Sequence, residues 1–243
     1  MHKTKLIILR TIKYGETSLV VTAFTELFGV QTYMLNGVRS SKKTGLKAAL
    51  YQPASLLDAE VYHNDRNHMH RIREANRAVV FEQLLTDVVK NSIAVFMMEL
   101  LYKLLKQPEP NSDLFYFCED SLIQLDSCSP LVAANFPLFF SLHLSHFFGF
   151  RIDENYSEEN NVLDLQEGNF THEKPTHNYF IEEEDAAITA ELLRVRLPEE
   201  LSQLKMNHLK RRALLAQYME YYALHNRDFG TMKTLGVMQE VLS

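Results

Sequence analysis

The sequence has few cysteines and none of the short motifs that point most directly to catalysis. Only Cys118 and Cys128 are present and they form no CxxC pair, so neither a disulfide framework nor a structural zinc site is indicated. This cysteine usage predicts a reducing, cytoplasmic environment. GxGxxG, GxxxxGK[ST], GxSxG and HExxH are all missing, so phosphate-cradling loops and the common hydrolase sites are not indicated. We therefore expect a protein that is not an enzyme and that carries no cofactor or metal.

Long apolar segments are also scarce. The apolar run before Arg10 is too short for the core of a signal peptide. The segment from Leu131 to Phe150 has about membrane-spanning length and no formal charge, but polar side chains such as Asn135 and His143 would be costly in hydrocarbon. This segment is predicted to be a buried helix, and no membrane association is expected.

Charge is present in an uneven distribution. The formal net charge of the whole chain is -6, yet residues 1 to 80 carry 12 Lys and Arg against 6 Asp and Glu, a net charge of +6. The remaining residues carry 13 against 25, a net charge of -12. A basic N-terminal third joined to an acidic remainder indicates that a polyanion such as nucleic acid is a partner of the first region.

The first 75 or so residues read as short strands separated by turns, without a long helix. Apolar runs and partial alternation mark five strands, at 6–9, 19–24, 30–35, 57–62 and 68–73. Five strands of this length favour a small twisted barrel, since an open sheet would leave long unpaired edges. An oligonucleotide-binding (OB) fold has this composition, although other small barrels satisfy the same pattern.

The pattern changes to helical spacing near Ala75. Leu, Val, Phe and Met dominate 79–106, followed by Pro108 and Pro110, and further helices are predicted at 112–125, 130–149 and 207–225. The predicted class is α+β multidomain, with a five-stranded OB-fold barrel followed by an all-helical domain. We place the domains at 1–78 and 79–243, with an irregular, acidic insertion near 153–181.

Positive charge is the most informative functional signal. The segment from Leu35 to Lys47 combines two glycines with four cations and no acid, as expected for a loop that faces phosphates, although a solvated connector has the same composition. The tyrosines at 14, 33, 51 and 62 are candidates for base stacking or for half-buried core positions. The cations that we predict to contact nucleic acid are Arg39, Lys42, Lys43, Lys47, Arg66, Arg71 and Arg73. A second patch for DNA or a partner protein is predicted at Lys205, Lys210, Arg211 and Arg212.

Several short stretches together resemble the bacterial recombination mediator family RecO. The N-terminal stretches are Leu9-Arg10-Thr11, Tyr14-Gly15-Glu16-Thr17-Ser18, Asn36-Gly37-Val38-Arg39 and Ile72-Arg73-Glu74-Ala75. The C-terminal ones run from Leu209 to Leu215 and from Phe229 to Lys233. The resemblance therefore spans nearly the whole chain, and it is carried by the order and spacing of these pieces.

The resemblance implies a non-enzymatic protein of recombinational repair that binds single- and double-stranded DNA and anneals complementary strands. It also implies work with RecR, and in many bacteria RecF, to help RecA replace single-strand-binding protein. On this sequence the basic barrel surface of the family corresponds to Arg10, Arg39, Lys42, Lys43 and Lys47. Many members carry a four-cysteine zinc motif in the region corresponding to 153–181, whereas this chain has no cysteine there.

Two other functions fit the same residues. A protein-interaction scaffold would use the acidic helical domain to bind proteins and would not bind nucleic acid. An OB-fold RNA-binding factor would share the barrel and prefer RNA over DNA of equal length.

Overall fold

The computed structural model describes residues 1–38, 48–64 and 66–242. The chain divides into two compact units, Met1–Ser127 and Cys128–Ser243, and each is described here by itself. The first unit holds a sheet together with helices. The domain boundary near residue 78 stays a prediction from composition.

Five antiparallel strands form the sheet of the first unit, in the order β3-β2-β1-β4-β5. On β2 and β3 the core residues Leu19, Val21 and Tyr33 alternate with half-exposed ones, as expected for a sheet with one face inside. This sheet confirms the predicted fold class. The strands are β1 His2–Tyr14, β2 Ser18–Thr25, β3 Gly29–Leu35, β4 Leu56–Tyr62 and β5 Arg71–Arg77.

The sheet is not the closed barrel that the sequence predicted. Within the described residues its two edges meet at one parallel bridge, between Tyr33 on β3 and His70 just before β5. His70 N–H donates to Thr32 O at 2.8 Å, and Met34 N–H donates to His70 O at 3.0 Å. Closure requires tilt and stagger along the full strand length, and β5 bends at a register shift between Glu60 and Val61 of its partner β4. The result is an OB-like sheet with its edges drawn together at one end.

The fifth strand is displaced from the predicted segment 68–73. It begins at Arg71, because His70 is taken up by the bridge to β3, and it extends to Arg77. Weak alternation around Met69 carried too little information to set this register.

Two helices of the first unit lie entirely within the described residues: α1 Val88–Leu104 and α2 Ser112–Ser127. Residues 79–87 are not helical, although the pattern predicted a helix from 79. The Asp126 carboxylate at the end of α2 accepts the backbone N–H groups of residues 82, 83 and 84 at 2.6–3.0 Å, which holds this stretch as a turn. Asn111 caps α2 by accepting Leu114 N–H at 3.0 Å.

The second unit is mainly helical. Ser129 caps its first helix with Pro130 at the first position, and Gly149 ends the following turn with φ 80°, close to the limits of the helix predicted at 130–149. The stretch Pro130–Phe148 is long and apolar enough to span a membrane, but 67% of its apolar window is buried as a core helix. The helices are α3 Pro130–Leu144, α4 Glu183–Arg194, α5 His208–His225 and α6 Thr234–Val241, with short 3₁₀ helices at Ser145–Phe148 and Pro198–Gln203.

The predicted irregular insertion contains a small sheet in the order β7-β6-β8. Asn155 holds Phe170 on β7 through two hydrogen bonds of 2.8 and 2.9 Å, and His177 Nε2 lies 3.3 Å from Asp164 Oδ2. These contacts tie together the segment in which many family members are expected to use zinc. The strands are β6 Val162–Asp164, β7 Asn169–Thr171 and β8 Phe180–Ile181.

Candidate nucleic-acid interface

Half of the predicted DNA-binding residues can be placed. Arg39, Lys42, Lys43 and Lys47 lie outside the described residues and stay predictions. Arg10, Arg66, Arg71 and Arg73 are all exposed in the first unit.

Arg10 lies on the outer face of the sheet, beyond a register shift between Ile8 and Arg10 on β1. Its strand partner is Thr22 on β2, whose own partner on β3 is Thr32. The Arg10 guanidinium carbon is 5.7 Å from the centre of the Tyr102 ring on α1, within the range of a cation–π contact. The sheet and the helix together therefore position this cation.

The other three arginines differ in their surroundings. Arg66 is in the loop between β4 and β5, and Arg71 opens β5 opposite Tyr62. Arg73 Nη1 lies 3.0 Å from Glu60 Oε2, so its charge is offset by a neighbouring strand. Arg73 is consequently a weaker candidate for phosphate contact than Arg10.

The four tyrosines proposed for stacking divide into two pairs. Tyr14 and Tyr62 are exposed, at 59% and 53%. Tyr33 and Tyr51 are buried in the sheet core, and burial raises the pKa of both phenols above the ordinary value. Of the two alternatives that the sequence leaves open, Tyr33 and Tyr51 therefore take the core position, since both rings lie in the core cluster.

A groove of about 580 Å³ lies on the outer face of β2 and β3, and we call it the β2–β3 groove. Thr22, Val30 and Thr32 line it from the sheet. The loop between β4 and β5 contributes His63, Asn67, His68 and His70, and the end of α1 and the connection after it contribute Tyr102, Lys106, Pro108 and Pro110. None of the described residues that line it is Asp or Glu.

Ring stacking and one close backbone approach shape this groove. Phe28 stacks on His63 at 4.0 Å between ring centres, and His63 stacks on His70 at 4.6 Å. On the opposite side, a Cβ added to Gly29 would lie 2.3 Å from the carbonyl oxygen of Glu109. The hairpin from β2 to β3 therefore packs directly on the connection between α1 and α2.

Sequence reasoning missed Tyr102 and Lys106. Both follow a helical pattern and are far from the strands in sequence, so nothing local marks them as part of a sheet surface. The two prolines at 108 and 110 were a usable signal, because a rigid connection can form a fixed wall.

A second groove of about 520 Å³ lies on the other half of the same sheet, and we call it the β4–β5 groove. Glu26, Asp58, Glu60 and Glu74 line it together with Lys3 and Lys5. Lys5 Nζ is 2.7 Å from the buried Glu119 carboxylate on α2, and this hydrogen bond raises the pKa of Lys5 despite its partial burial. The β4–β5 groove is therefore acidic on balance.

The predicted second patch, on and before α5, is not a uniform cationic surface. Lys205 and Arg212 are exposed, whereas Lys210 Nζ contacts Glu184 at 3.0 Å and Asp185 at 2.5 Å at the start of α4. Arg211 is partly buried, which lowers the pKa of its guanidinium, and it donates to Met206 O at 2.6 Å.

His143 on α3 and His146 in the following turn are not arranged as a metal site. His143 Nε2 lies 3.2 Å from Leu192 O, and burial lowers the pKa of His143 to about 4. Across 1–38, 48–64 and 66–242, no group of three or more His, Cys, Asp or Glu is placed to hold a metal ion.

Comparison with known proteins identifies the family. Residues 1–80 match the family model "Recombination protein O N terminal", and residues 85–228 match "Recombination protein O C terminal". The chain is 32% identical to the DNA repair protein RecO of Bacteroides fragilis over 242 residues, covering 99% of each chain. It is 32% identical to that of Phocaeicola vulgatus over the full length of both chains, and 30% identical to that of Flavobacterium johnsoniae over 99% of each. The chain therefore belongs to the RecO family of DNA repair and recombination proteins.

Proposed function

We propose that this protein is a non-enzymatic recombination mediator that works on DNA in the cytoplasm. It binds single- and double-stranded DNA, anneals complementary strands and, with RecR (and RecF), assists RecA to load on DNA coated with single-strand-binding protein. The observation that carries the proposal is the outer face of β2 and β3, which Arg10 flanks and whose described lining residues include no Asp or Glu, in a chain whose relatives are named as DNA repair proteins. In OB folds this face, with its adjoining loops, binds oligonucleotides.

Annealing by such a protein needs no bond chemistry. Cations near the sheet reduce the repulsion between two phosphate backbones, and the bases then pair by themselves. The predicted cations at 39–47 would add to Arg10 and Arg66 in this role. Each phosphate contact releases counterions, so binding is expected to weaken steeply as salt rises.

Fluorescence anisotropy of a labelled single-stranded oligonucleotide across a salt series tests DNA binding. Lys42→Glu with Lys43→Glu should weaken binding for every sequence and flatten the slope of log affinity against log salt by about two. Lys174→Glu with Lys233→Glu makes the same charge change outside both predicted patches and should leave the slope unchanged. If the wild type binds no DNA even at low salt, the proposal is wrong.

The finer steps need their own assays. Annealing is followed with two complementary labelled strands, and RecA loading with coated single strands in the presence and absence of RecR and RecF. A preference for RNA over DNA of equal length would identify an RNA-binding factor instead. Binding to single-strand-binding protein without any DNA affinity would identify a scaffold.

An acidic segment of a partner such as single-strand-binding protein is the proposed occupant of the second patch. Support comes from a small, mainly apolar pocket between α3, α5 and α6, where His208, Arg211 and Arg212 border Leu138, Leu215 and Met238. Cations around an apolar floor suit a peptide that carries both carboxylates and an apolar anchor. Arg212→Glu should weaken such a peptide in anisotropy, whereas Arg194→Glu on α4 should not; equal binding by all three proteins would contradict this assignment.

A further inference from the structure

The chemistry of the β2–β3 groove goes beyond a basic surface for phosphate. Its lining combines flat rings, hydroxyl groups and a cation: Tyr102 and the histidines of the β4–β5 loop, Thr22 and Thr32, and Lys106. Bases offer flat faces for stacking and polar edges for hydrogen bonds, and each nucleotide carries one phosphate. The faces of a base, its polar edges and the phosphate thus each have a counterpart in the groove.

The size of the groove limits how much nucleic acid it accepts. About 580 Å³ lies within the range of roughly 300–1,000 Å³ that holds one small ligand, which corresponds to one or two nucleotides. A duplex keeps its base faces stacked on one another, so it cannot present them to Tyr102 without being opened. Stacking on Tyr102 is therefore open to unpaired bases and closed to paired ones.

The ring of Tyr102 is prepared for stacking. Tyr102 is 36% exposed, and Arg10 lies over the ring at 5.7 Å. A cation beside a stacked base contributes attraction to the base and to the neighbouring phosphate. The groove walls are held by the contact of Gly29 with Glu109 and by the ring stack Phe28–His63–His70, so the site exists before any ligand arrives.

We infer that the β2–β3 groove is a subsite for one or two unpaired nucleotides, in which Tyr102 stacks on a base and Lys106 contacts the phosphate. This inference rests on the proposed DNA-binding function and refines it by separating single-strand from duplex binding. Duplex DNA then depends on the exposed cations alone. The subsite gives the protein a physical means of recognising gapped DNA.

This is tested by titrating the full chain into a fluorescently labelled dT oligomer and into a labelled duplex of equal length. Tyr102→Ala should weaken single-strand affinity by about 5- to 150-fold, the range for one lost stacking contact, and change duplex affinity by less than about twofold. Tyr102→Phe keeps the ring and should bind as the wild type does. Tyr179→Ala, which removes a tyrosine of similar exposure (37%) in the second unit, is the matched control and should bind normally.

The possible outcomes distinguish failure of the subsite from failure of the proposed function. If the wild type binds both DNAs and Tyr102→Ala binds single strands normally, the subsite is wrong and the proposed function still stands. Equal losses for single strands and duplex also overturn it, because Tyr102 would then act on general binding. Wild type that binds neither DNA removes the proposed function and the subsite with it.

A measurement on the wild type guards against misfolding of Tyr102→Ala. Single strands that carry photoreactive 5-iodouracil are irradiated on the intact protein and the crosslinked peptides are identified. Crosslinks within residues 98–110 or 60–70 support the subsite. Crosslinks found exclusively on other segments overturn it.

Discussion

The two halves of the sheet carry grooves that differ in charge. The β2–β3 groove has hydroxyls, rings and Lys106 and no acidic lining residue among those described, while the β4–β5 groove is lined by four carboxylates and two lysines. Their volumes are nearly equal, about 580 and 520 Å³. The difference therefore lies in chemistry, and it shows that a basic N-terminal third does not mean a basic surface throughout.

Ion pairs explain part of this difference. Lys5 and Arg73 contribute to the positive count of the first 80 residues, yet one contacts Glu119 and the other Glu60. Arg10 instead lies over Tyr102 and keeps its charge toward the β2–β3 side. A count of charges cannot separate a cation used for packing from one that faces a ligand.

The largest expected effect comes from breaking a wall of the β2–β3 groove. Gly29 has φ 64°, and an added Cβ would lie 2.3 Å from Glu109 O, whereas Gly15 has φ 58° and no atom within 4 Å of its added Cβ. Gly29→Ala should lower the free energy of unfolding by about 3 kcal/mol or more, and Gly15→Ala by only about 1 kcal/mol from backbone strain. Urea unfolding measures both. Equal losses would show that the close approach to Glu109 does not constrain the hairpin.

Charge reversal on the β2–β3 side is the next largest effect. Arg10→Glu with Lys106→Glu should weaken single-strand binding by about 30-fold or more at roughly 0.1 M salt, because two attractive contacts become repulsive. Anisotropy measures the loss, with Lys174→Glu plus Lys233→Glu as the control of equal charge change. Affinity within twofold of wild type would mean that DNA does not approach this half of the sheet.

Asp126 holds the turn at residues 82–84, which precedes the helix that carries Tyr102. Burial would raise the pKa of its carboxyl, but three backbone donors and Lys90 together lower it. A lowered pKa means that its stabilisation is present above the ordinary value near 3.8 and is lost as pH falls through the folded-state pKa. Asp126→Asn should cost about 1–2 kcal/mol at pH 7 and flatten the acid limb of the stability curve.

Thermal unfolding between pH 2 and pH 7 tests this, with the exposed Asp120→Asn on the same helix as the control. If Asp126→Asn loses stability in parallel with the wild type at every pH, its carboxylate is not the group that titrates.

The smallest expected effect is a gain in DNA affinity when negative charge is removed from the β4–β5 groove. Glu60→Gln with Glu74→Gln removes two charges from the β4–β5 groove and should raise DNA affinity by about two- to threefold, since exposed charges are strongly screened. The gain should disappear at high salt. A gain as large as the loss in Arg10→Glu with Lys106→Glu would mean that both grooves face DNA equally.

Much of the fold could be predicted because it rests on local patterns. The apolar run at 19–24 and the partial alternation at 30–35 predicted strands that the structure contains. The helix predicted at 130–149 begins at Pro130 and is followed by a turn that ends at Gly149. The fifth strand and the start of α1 were displaced because their limits depend on partners distant in sequence: Thr32 for His70, and Asp126 for residues 82–84.

The site was less predictable than the fold. Charge indicated the exposed loop with Arg66, and the family resemblance indicated Arg10. Tyr33 and Tyr51, which were candidates for stacking or for core positions, lie in the core, and composition alone does not distinguish these two environments. Tyr102 replaces them as the stacking candidate, and it is brought to the sheet by a helix.

By itself the sequence determined the strand and helix types, the division of charge, and the likeness to the RecO family, because periodicity, capping residues and motif order are properties of neighbouring residues. Only the tertiary structure decided which cations are paired, which tyrosines are buried, and how β2, β3 and the end of α1 enclose one groove. Those features depend on contacts between residues up to about a hundred positions apart, such as Lys5 with Glu119, which no local pattern encodes.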